Sequence, residues 1–311
     1  MPTLSFILHG KHRSNTKLVD EARRIFGDTH TVAFYYTEHA GHAINLAKQA
    51  ALQGSYVIAA GGDGTMNEVI NGIMLSNNEQ VICGLLPCGT GNDFAKTIGV
   101  KNNLAELKQL INNNQVTAID VGHIKLKDGT GADVARYFIN IADVGLGGII
   151  AQKLAGYNKW MGAFITFQRA IISGFLSFKH QPVQAKADTF LYNGKILSYI
   201  IANGKYFGAG LGIAPHANPT DGQFAIVLGA EISLWDYLLN LGKVRQCKPI
   251  VHPQMSYHSA ATVQIDSAQK LPIDMDGEFA GYTPMQVTML PGAIRLLCNN
   301  PAPNNIKDKV Y

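Results

Sequence analysis

Residues 56–73 read YVIAAGGDGTMNEVINGI and join two periodic patterns through three glycines. Tyr56–Ala60 is an apolar run typical of a buried strand, and the apolar residues that follow recur at the spacing of one helix face: Met66, Val69, Ile70 and Ile73. Glycines at such a junction let the backbone turn sharply and approach a ligand, and the following helix directs free N–H groups into the turn. The junction predicts either a phosphate-binding loop or an ordinary tight turn.

The first 122 residues repeat this alternation of strand and helix. Strand patterns occur at LSFIL, TVAFYY, YVIAA and VICGLLP. Helix patterns follow the first three, the first capped by Ser14 or Asn15, the second over 43–53 and the third over 66–75. Alternation of this kind predicts an α/β, doubly wound nucleotide-binding domain whose ligands bind at the carboxyl ends of the strands.

From about residue 123 the pattern changes to β-branched and aromatic residues in alternation. ADTFLYNGKILSYIIANG holds two such runs joined at Asn193-Gly194, a hairpin pattern, and FAIVLG, ATVQID, MQVTML and AIRLLC continue it. Two helical segments interrupt the strands, Trp160 to Phe178 and Ser233 to Gln246. We therefore predict an α/β domain over 1–122 and a mainly antiparallel β-sandwich domain over 123–289, with 290–311 packing back on the first domain.

Composition excludes several classes of protein. With 47% apolar and 15% charged residues among 311, the chain is neither disordered nor fibrous. Its four cysteines form no C-x-x-C pair and no H-E-x-x-H occurs, so neither a disulfide framework nor a zinc site is predicted. A net charge of +4 is too small to indicate nucleic acid, although 17 basic residues against 12 acidic after residue 122 favour an acidic surface or substrate there. Without a signal-like or membrane-spanning run, the sequence predicts a cytoplasmic protein.

The side chains of the junction have a ligand-binding and a structural interpretation. A carboxylate beside a phosphate repels it unless a cation lies between them, so Asp63 predicts Mg²⁺. Thr65 can instead be an N-cap with Glu68 completing a capping box three residues later. The loop is neither a Walker A motif nor a G-x-G-x-x-G fingerprint.

A second loop of the same style follows the next strand. LLPCGTGNDFAKTIG places Gly89, Thr90, Gly91, Asn92 and Asp93 between a strand and a short helix. Two neighbouring strands that end in glycine-threonine loops predict a site for one nucleotide between them.

GGDGTMNEVINGI followed by LPCGTGNDFAKTIG resembles the diacylglycerol kinase catalytic-domain family, in its soluble bacterial lipid kinase branch. The resemblance continues through IANGKYFGAGLGIAPHANPTDGQF, ends with DMDGEFAG and spans most of the chain in the family order. It implies an ATP- and Mg²⁺-dependent lipid kinase that phosphorylates a hydroxyl of a diacylglycerol-like or other glycerolipid.

The resemblance implies ATP contacts from the first loop, from the threonine of the second loop and from the threonine before GHA. These residues are Thr37, Gly62, Asp63, Gly64, Thr65, Met66, Asn67, Glu68 and Thr90. The glycine-rich loop that many relatives carry after the first strand is reduced here to Gly10 in LHGKHRSN.

Three acidic residues near the C-terminus are candidates for the chemistry. In PIDMDGEFAG, Asp274, Asp276 and Glu278 alternate, so on an extended backbone they would face the same way. Without the resemblance, the stretch predicts an acidic turn at Asp276-Gly277. The resemblance implies that Asp276 accepts the proton of the attacking hydroxyl and that Glu278 supports it, while Asp274 has the same strand parity and competes for the role.

PHANPTDGQF resembles the second, structural Mg²⁺ site of the family. The resemblance implies the side chain of Asp221 and the backbone carbonyls of Asn218 and Gln223 as ligands. The structural alternative is an ordinary Asp-Gly turn. Many relatives carry two consecutive aspartates where this chain has Thr220-Asp221.

The two helical segments of the second half combine aromatic and aliphatic residues with Lys and Arg. Each is predicted either to rest on a membrane surface or to pack on the β-sandwich. The predicted partners are ATP and a lipid at a membrane surface, with peripheral membrane association and without nucleic acid. Whether the chain is a monomer or a homodimer stays open.

Several functions remain beside the lipid kinase. Sphingoid-base kinases share the two-domain plan, and NAD kinases share GGDGT, although GTGNDFA and the late DGE favour the lipid branch. A lipid- or nucleotide-binding protein without catalysis is the alternative from a different class. The presence of Asp63, Asp221, Asp276 and Glu278 favours an enzyme.

Overall fold

A computed structural model describes residues 1–10, 16–156 and 162–299. Contacts between residues divide the chain into two units, residues 1–120 with the segment that begins at Pro291, and residues 121–290. The predicted cap at Ser14 or Asn15, the start of the helical segment at Trp160 and the tail beyond 299 lie outside the described residues. The domain limits read from the sequence stay a prediction.

The first unit alternates strands and helices. Its elements are β1 (Thr3–Leu8), α1 (Thr16–Phe26), β2 (Thr31–Tyr36), α2 (His42–Gln53), β3 (Tyr56–Gly61), α3 (Asp63–Ser76), β4 (Ile82–Pro87), α4 (Asp93–Ile98) and α5 (Leu104–Asn112). The strand order is β2-β1-β3-β4, and each neighbouring pair is parallel. All six residues of β4 are buried, as expected for a parallel strand covered on both faces. This arrangement confirms the predicted α/β class.

The second unit is mainly antiparallel. Its strands are β5 (Val116–Lys127, which begins in the first unit), β6 (Asp133–Phe138), β7 (Ile141–Gly145), β8 (Gln181–Ala187), β9 (Phe190–Ile196), β10 (Ser198–Ala202), β11 (Tyr206–Phe207), β12 (Leu211–Gly212), β13 (Phe224–Gly229), β14 (Met255–Ala260), β15 (Thr262–Asp266), β16 (Pro272–Met275) and β17 (Glu278–Leu297). Its helices are α6 (Leu146–Ala155), α7 (Ala163–Ser177) and α8 (Leu234–Arg245). The order β14-β13-β10-β7-β16 is antiparallel at every step, which confirms the mainly antiparallel prediction.

The hairpin predicted at Asn193-Gly194 is wrong. Both residues lie inside β9, opposite Gln184 and Val183 of β8, and the turn of this hairpin falls at residues 188–189. Asp188 has a φ of 47°, and its carboxylate accepts hydrogen bonds from the N–H groups of Ala261 and Thr262. Those bonds fix the turn at Asp188, and a local sequence pattern cannot predict them because the donors are far away in the sequence.

Helix α6 is a third helix that the sequence pattern did not predict. It carries Gly147 and Gly148 in its first turn, and both are buried. A Cβ at Gly148 would collide with the backbone of Pro272 and would lie 2.7 Å from the nitrogen of Ile273. Glycine is therefore required because α6 lies directly against the backbone of β16, although it weakens the helix pattern in the sequence.

Helix α8 ends where the sequence predicted. Ser233 is its N-cap in a capping box with Asp236, and Gln246 is the C-cap. Within the described ranges, no helix combines the length and the apolar character that a membrane span requires.

We predict opposite effects for alanine at two helical glycines. Gly148→Ala should lower the free energy of unfolding by about 1–3 kcal/mol, because its methyl group would displace the backbone of β16. Gly242→Ala in α8 should raise it by about 0.5–1 kcal/mol, since no atom lies within 4 Å of the added Cβ and alanine favours helix. Urea unfolding of both variants tests this, and a Gly148→Ala protein as stable as the parent would contradict the contact.

Candidate active site

Two glycine loops are in backbone contact at the carboxyl edge of the first unit's sheet. Cys88 N–H donates to the carbonyl oxygen of Gly61 over 2.9 Å, which extends the pairing of β3 and β4 into the loops. A Cβ at Gly62 would lie 3.2 Å from the Cα of Gly89, and a Cβ at Gly89 would lie 3.0 Å from the nitrogen of Gly62. Only two glycines allow this approach, so the loops predicted from GGDGT and GTGND meet within one unit.

Asp63 connects the two loops. Gly62 is the N-cap of α3, so the helix begins at Asp63, three residues earlier than predicted. Its Oδ1 accepts hydrogen bonds from the N–H of Asp93 at 2.8 Å and of Phe94 at 3.2 Å. These are donors of the first turn of α4, which its own N-cap residue Asn92 does not cap through its side chain. Asp63 thus has a structural role that requires no cation.

The capping box predicted at Thr65 and Glu68 is wrong. Both residues lie inside α3, because its N-cap is Gly62. The carboxylate of Glu68 instead accepts hydrogen bonds from the N–H of Gly41 at 2.8 Å and of Ala43 at 2.9 Å. These groups begin α2, so Glu68 caps a neighbouring helix. A sequence pattern reports spacing along one helix and misses a cap supplied by another.

The remaining nucleotide candidates surround these loops. Thr37 follows β2, and its Oγ1 accepts a hydrogen bond of 2.9 Å from the N–H of Gly10 after β1. Thr65 and Met66 are buried, Gly64 and Asn67 are half-buried, and Thr90 is exposed. The parallel order places the ends of β1, β2, β3 and β4 at one edge, which brings these residues to one side of the first unit.

The acidic stretch of the second unit forms a turn instead of one extended strand. β16 ends at Met275, which pairs with Glu278 at the start of β17, so Asp276 and Gly277 are the two turn residues. Their φ angles are 51° and 89°, the conformation of the tight hairpin turn that favours Asp-Gly. The expectation that Asp274, Asp276 and Glu278 share one extended face is therefore wrong.

Asp276 is buried and holds three backbone donors. Its Oδ1 accepts from the N–H of Asn140 and Ile141, each at 3.0 Å, and its Oδ2 accepts from the N–H of Ile139 at 3.1 Å. The N–H of Asp276 in turn donates to the carbonyl oxygen of Ile141 at 2.8 Å. Both oxygens of the Asp276 carboxylate therefore hold backbone N–H groups in place.

Glu278 differs from Asp276 in its surroundings. It is exposed at the first position of β17, directly after the turn, whereas Asp276 and Asp274 are buried. Asp274 lies on β16, opposite Asp143 of β7. Of the three acidic residues, Glu278 is the one that solvent or a substrate reaches.

The predicted metal loop lies between β12 and β13. Asp221 is exposed, and its Oδ1 accepts a hydrogen bond of 3.0 Å from the N–H of Gln223. The side-chain oxygen of Asn218 accepts from the hydroxyl of Thr220 at 2.9 Å. Among the described residues no three His, Cys, Asp or Glu side chains lie together as metal ligands. A cation here would therefore depend on one carboxylate and on backbone carbonyls, the oxygen donors that Mg²⁺ accepts.

An apolar pocket of about 100 Å³ lies in the second unit. Helices α6, α7 and α8 line it against β7, β10 and β13, with side chains that include Ile150, Ile171, Phe175, Val227 and Val244. Asp143 and Ser198 on the strands border it, but the surface that the pocket exposes is almost entirely apolar. Composition and periodicity did not predict this pocket, because its walls come from segments far apart in the sequence.

Helices α7 and α8 lie against each other and expose apolar side chains. The rings of Phe175 and Tyr237 lie 5.7 Å apart, and the guanidinium of Arg245 lies 5.2 Å from the ring centre of Phe164. Trp235 is 73% exposed and Leu239 is 81% exposed, with further exposed apolar side chains at Ile165, Ile172, Leu176 and Leu238. We call these six residues, with Phe164, the apolar surface of α7 and α8.

Two family profiles match the chain. The diacylglycerol kinase catalytic domain matches residues 4–124, and the YegS C-terminal NAD kinase beta sandwich-like domain matches residues 142–298. The second match agrees with the predicted β-sandwich class of the C-terminal half.

Two relatives and a solved structure are similar over most of the chain. A diacylglycerol kinase of Bacillus subtilis (strain 168) is 27% identical over 250 residues, 80% of this chain and 79% of the relative. A probable lipid kinase YegS-like of Chromohalobacter salexigens is 27% identical over 297 residues, 93% of this chain and 91% of the relative. The crystal structure of a putative diacylglycerol kinase from Bacillus anthracis str. Sterne shares the fold, with a TM-score of 0.76 at 22% identity over 96% of this chain and 97% of that one.

We predict that Asp276 and Glu278 differ in their effect on stability. Asp276→Asn should lower the free energy of unfolding by about 2–4 kcal/mol, because the NH2 group that replaces one carboxylate oxygen cannot accept from the backbone N–H groups which that oxygen holds. Glu278→Gln should change it by less than about 0.5 kcal/mol, since the side chain is exposed. Equal losses in urea unfolding would contradict the separation of their roles.

Proposed function

The chain belongs to the diacylglycerol kinase catalytic-domain family, and on that premise we propose that it transfers the γ-phosphoryl group of ATP, with Mg²⁺, to a hydroxyl of a diacylglycerol-like or other glycerolipid. Its relatives are named as kinases of diacylglycerol and lipid, so the chain is a phosphotransferase of lipid metabolism. The observation that carries the assignment of ATP is the backbone contact between the Gly62 and Gly89 loops at the edge of the parallel sheet.

The two loops suit a nucleotide for electrostatic and steric reasons. A phosphate at the N-terminus of α3 meets free N–H groups and the positive end of the helix dipole. The absence of side chains at Gly62 and Gly64 leaves the backbone accessible to phosphate oxygens. Asp63 and Glu68 already hold donors of α4 and α2, so we propose that they fix the shape of this site while N–H groups bind the phosphates.

We assign the proton acceptor to Glu278, with Asp276 as the residue that positions it. Phosphoryl transfer passes through a loose transition state, so the base acts late and must reach the attacking hydroxyl. Glu278 is exposed beside the turn, whereas both oxygens of Asp276 accept backbone hydrogen bonds. This differs from the role that the family resemblance alone suggests for Asp276.

One Mg²⁺ ion would neutralise charge on the phosphates of ATP. A second, structural ion would rigidify the loop between β12 and β13. We propose that Asp221, with the carbonyl oxygens of Asn218 and Gln223, holds the structural ion. The exposed carboxylate of Asp221 fits that role, and Gly222 with a φ of 75° allows a sharp turn in the loop. The remaining ligands would be water.

We propose that the acceptor reaches the protein from a membrane surface. The apolar pocket suits a hydrocarbon chain, and the apolar surface of α7 and α8 lies on two of the helices that line it. Basic residues accompany it, with Lys243 and Arg245 in the last turn of α8. Aromatic, aliphatic and basic side chains on one pair of helices are typical of proteins that bind the membrane interface peripherally, and we place that interface on the cytoplasmic side, where ATP is supplied.

The proposed reaction is tested with labelled ATP, Mg²⁺ and a total lipid extract, followed by identification of the labelled lipid. We expect a labelled glycerolipid from the parent protein. Glu278→Gln should lower kcat by roughly 10²- to 10⁴-fold with the KM for ATP unchanged, because the amide cannot accept the proton. Glu231→Gln, an exposed residue of the same unit, serves as the matched control.

Three outcomes would revise the proposal in different ways. A labelled sphingoid base would keep the kinase and change its acceptor. Full activity in Glu278→Gln with loss in a folded Asp276→Asn would return the base to Asp276. No labelled lipid from any fraction of the extract would exclude the proposed activity.

Membrane association is tested by the fluorescence of Trp235 in a Trp160→Phe background, which leaves one tryptophan. Vesicles that contain phosphatidylglycerol should shift its emission to the blue, because the indole enters an apolar interface. Leu239→Ser should weaken vesicle binding about tenfold through lost apolar burial. Leu191→Ser, 71% exposed on β9, should bind as the parent does. An unshifted Trp235 emission would contradict membrane binding through the apolar surface of α7 and α8.

A further inference from the structure

Two carboxyl groups are neighbours inside the second unit. Asp143 on β7 and Asp274 on β16 are direct cross-strand partners, and they are 2% and 7% exposed. The side chains of such partners leave the sheet on the same face, with Cβ atoms about 4.5–5.5 Å apart. Within the described parts of the chain, the Oδ1 atom of each aspartate is buried and has no hydrogen-bond partner. Two acceptor oxygens placed in this way are satisfied together by one proton between them.

The first turn of α6 covers the pair. The Oδ2 atom of Asp143 accepts from the hydroxyl of Ser198 at 3.2 Å and from the N–H of Gly147. A Cβ at Gly147 would collide with the Asp143 carboxyl group, and Gly148 lies against the backbone of Pro272 on β16. A second negative charge at the pair is therefore hydrated only if α6 or β16 moves away from the other.

The surroundings of the pair oppose its ionisation. Burial raises the pKa of Asp143 to about 7, against smaller opposing effects of its hydrogen bonds. Burial raises the pKa of Asp274 well above its usual range, and the charge of Asp143 raises it further. The charges of Asp276 and Glu278 on the following turn act on Asp274 in the same direction. The pair therefore loses its protons in two steps, and one proton remains after the first.

Among the described residues, no basic side chain offsets these charges. The basic residue of α6, Lys153, lies in its last turn and donates to Ser173 on α7. On the α8 side of the pocket, Asp236 and His252 are 3.5 Å apart and partner each other. A proton is thus the positive charge that holds the two carboxyl groups together.

We propose that Asp143 and Asp274 share one proton, which keeps β16 in place against β7 and α6. The turn with Glu278 then holds its position only while this proton is bound, because β16 leads directly into it through Met275. Asp143 and Asp274 are positioning residues, since the apolar pocket and the turn, not the pair, face the substrate. The part of the inference that concerns catalysis rests on the proposed kinase activity, whereas the shared proton does not.

The shared proton makes the stability of the second unit fall as the pH rises. In the unfolded chain both carboxyl groups have a pKa of about 4, whereas burial raises both pKa values in the folded chain. The contribution of the pair to stability is therefore complete below about pH 4, falls as the pH approaches 7, and falls further until Asp274 loses the last proton. Each proton that only the folded chain holds raises the equilibrium constant of unfolding about tenfold per pH unit.

Urea unfolding of the full chain at several pH values tests the shared proton without nucleotide or lipid. Between about pH 7 and pH 8, the equilibrium constant of unfolding of the parent should rise about tenfold more than that of Asp274→Asn. The amide of this variant donates to Asp143 at every pH and so replaces the proton. Asp266→Asn, which changes an exposed acid on β15, is the matched control and should follow the parent.

Two further measurements keep the test independent of that single variant. The infrared carbonyl band of a protonated carboxyl group should be present in the parent near pH 7 and should disappear as the pair loses its last proton. The double variant Asp143→Asn/Asp274→Asn has no titratable group at the pair, so its unfolding should be as insensitive to pH as that of Asp274→Asn.

Hydrogen exchange tests the link to the turn. The N–H of Asp276 donates to the carbonyl oxygen of Ile141 in the folded chain. Near pH 9 it should exchange at least about tenfold faster in the parent than in Asp274→Asn, because the doubly charged pair releases β16. In the kinase assay, the loss of kcat at alkaline pH should begin about one pH unit higher in Asp274→Asn, with the KM for ATP unchanged.

The proposal is overturned if the parent and Asp274→Asn lose stability in parallel between pH 7 and pH 8, or if the parent shows no protonated carboxyl band there. Equal exchange at Asp276 in both proteins would retain the shared proton and refute its control of the turn. If no lipid is labelled by any variant, the proposed reaction is rejected, while unfolding and hydrogen exchange still decide the role of the pair.

Discussion

The carboxylate of Asp276 is the contact on which the second unit depends most. By accepting the N–H groups of Ile139, Asn140 and Ile141, it attaches the turn between β16 and β17 to the residues where β7 begins. That attachment sets the register in which Asp274 faces Asp143 and leaves Glu278 exposed at the end of the hairpin. The acid that a motif would assign to the reaction thus organises the surroundings of Glu278, the proposed proton acceptor.

The first unit uses the same device twice. Asp63 and Glu68, both on α3, hold the first N–H groups of α4 and α2. A carboxylate at a helix start opposes the positive end of the dipole and satisfies donors that the helix leaves unpaired. Acidic residues in GGDGTMNE therefore connect three helix starts around the loops. In the proposed nucleotide site, phosphate would be bound by backbone groups whose positions these contacts fix.

The sequence predicted the features that depend on local spacing. Strands such as TVAFYY and FAIVLG match β2 and β13 residue for residue, because apolar runs between polar loops identify strands. Sequence-based prediction failed where contacts with residues far away in the sequence determine the local structure. The hairpin turn lies at Asp188 instead of Asn193-Gly194, because the Asp188 carboxylate accepts hydrogen bonds from residues more than seventy positions away. Helix α6 was missed because Gly148, which weakens the helix pattern, is required by close contact with the backbone of β16. The pocket with Asp143 was missed for the same reason, since its walls meet only in the folded chain.

The long strand β17 also has a consequence for synthesis on the ribosome. Its early residues belong to the second unit, whereas Arg295 and Leu296 pair with Ile82 and Cys83 of β4 in the first. When β4 leaves the ribosome, the edge that later pairs with β17 is therefore unpaired. The end of β17 is made only after about 200 further residues, which takes roughly 10 to 40 seconds at about 5–20 residues per second. Throughout that interval the nascent first unit presents an open strand of the kind that pairs with other chains. A chain terminated before residue 295 would keep that edge permanently, so even a short C-terminal deletion would damage the part of the protein that was made first.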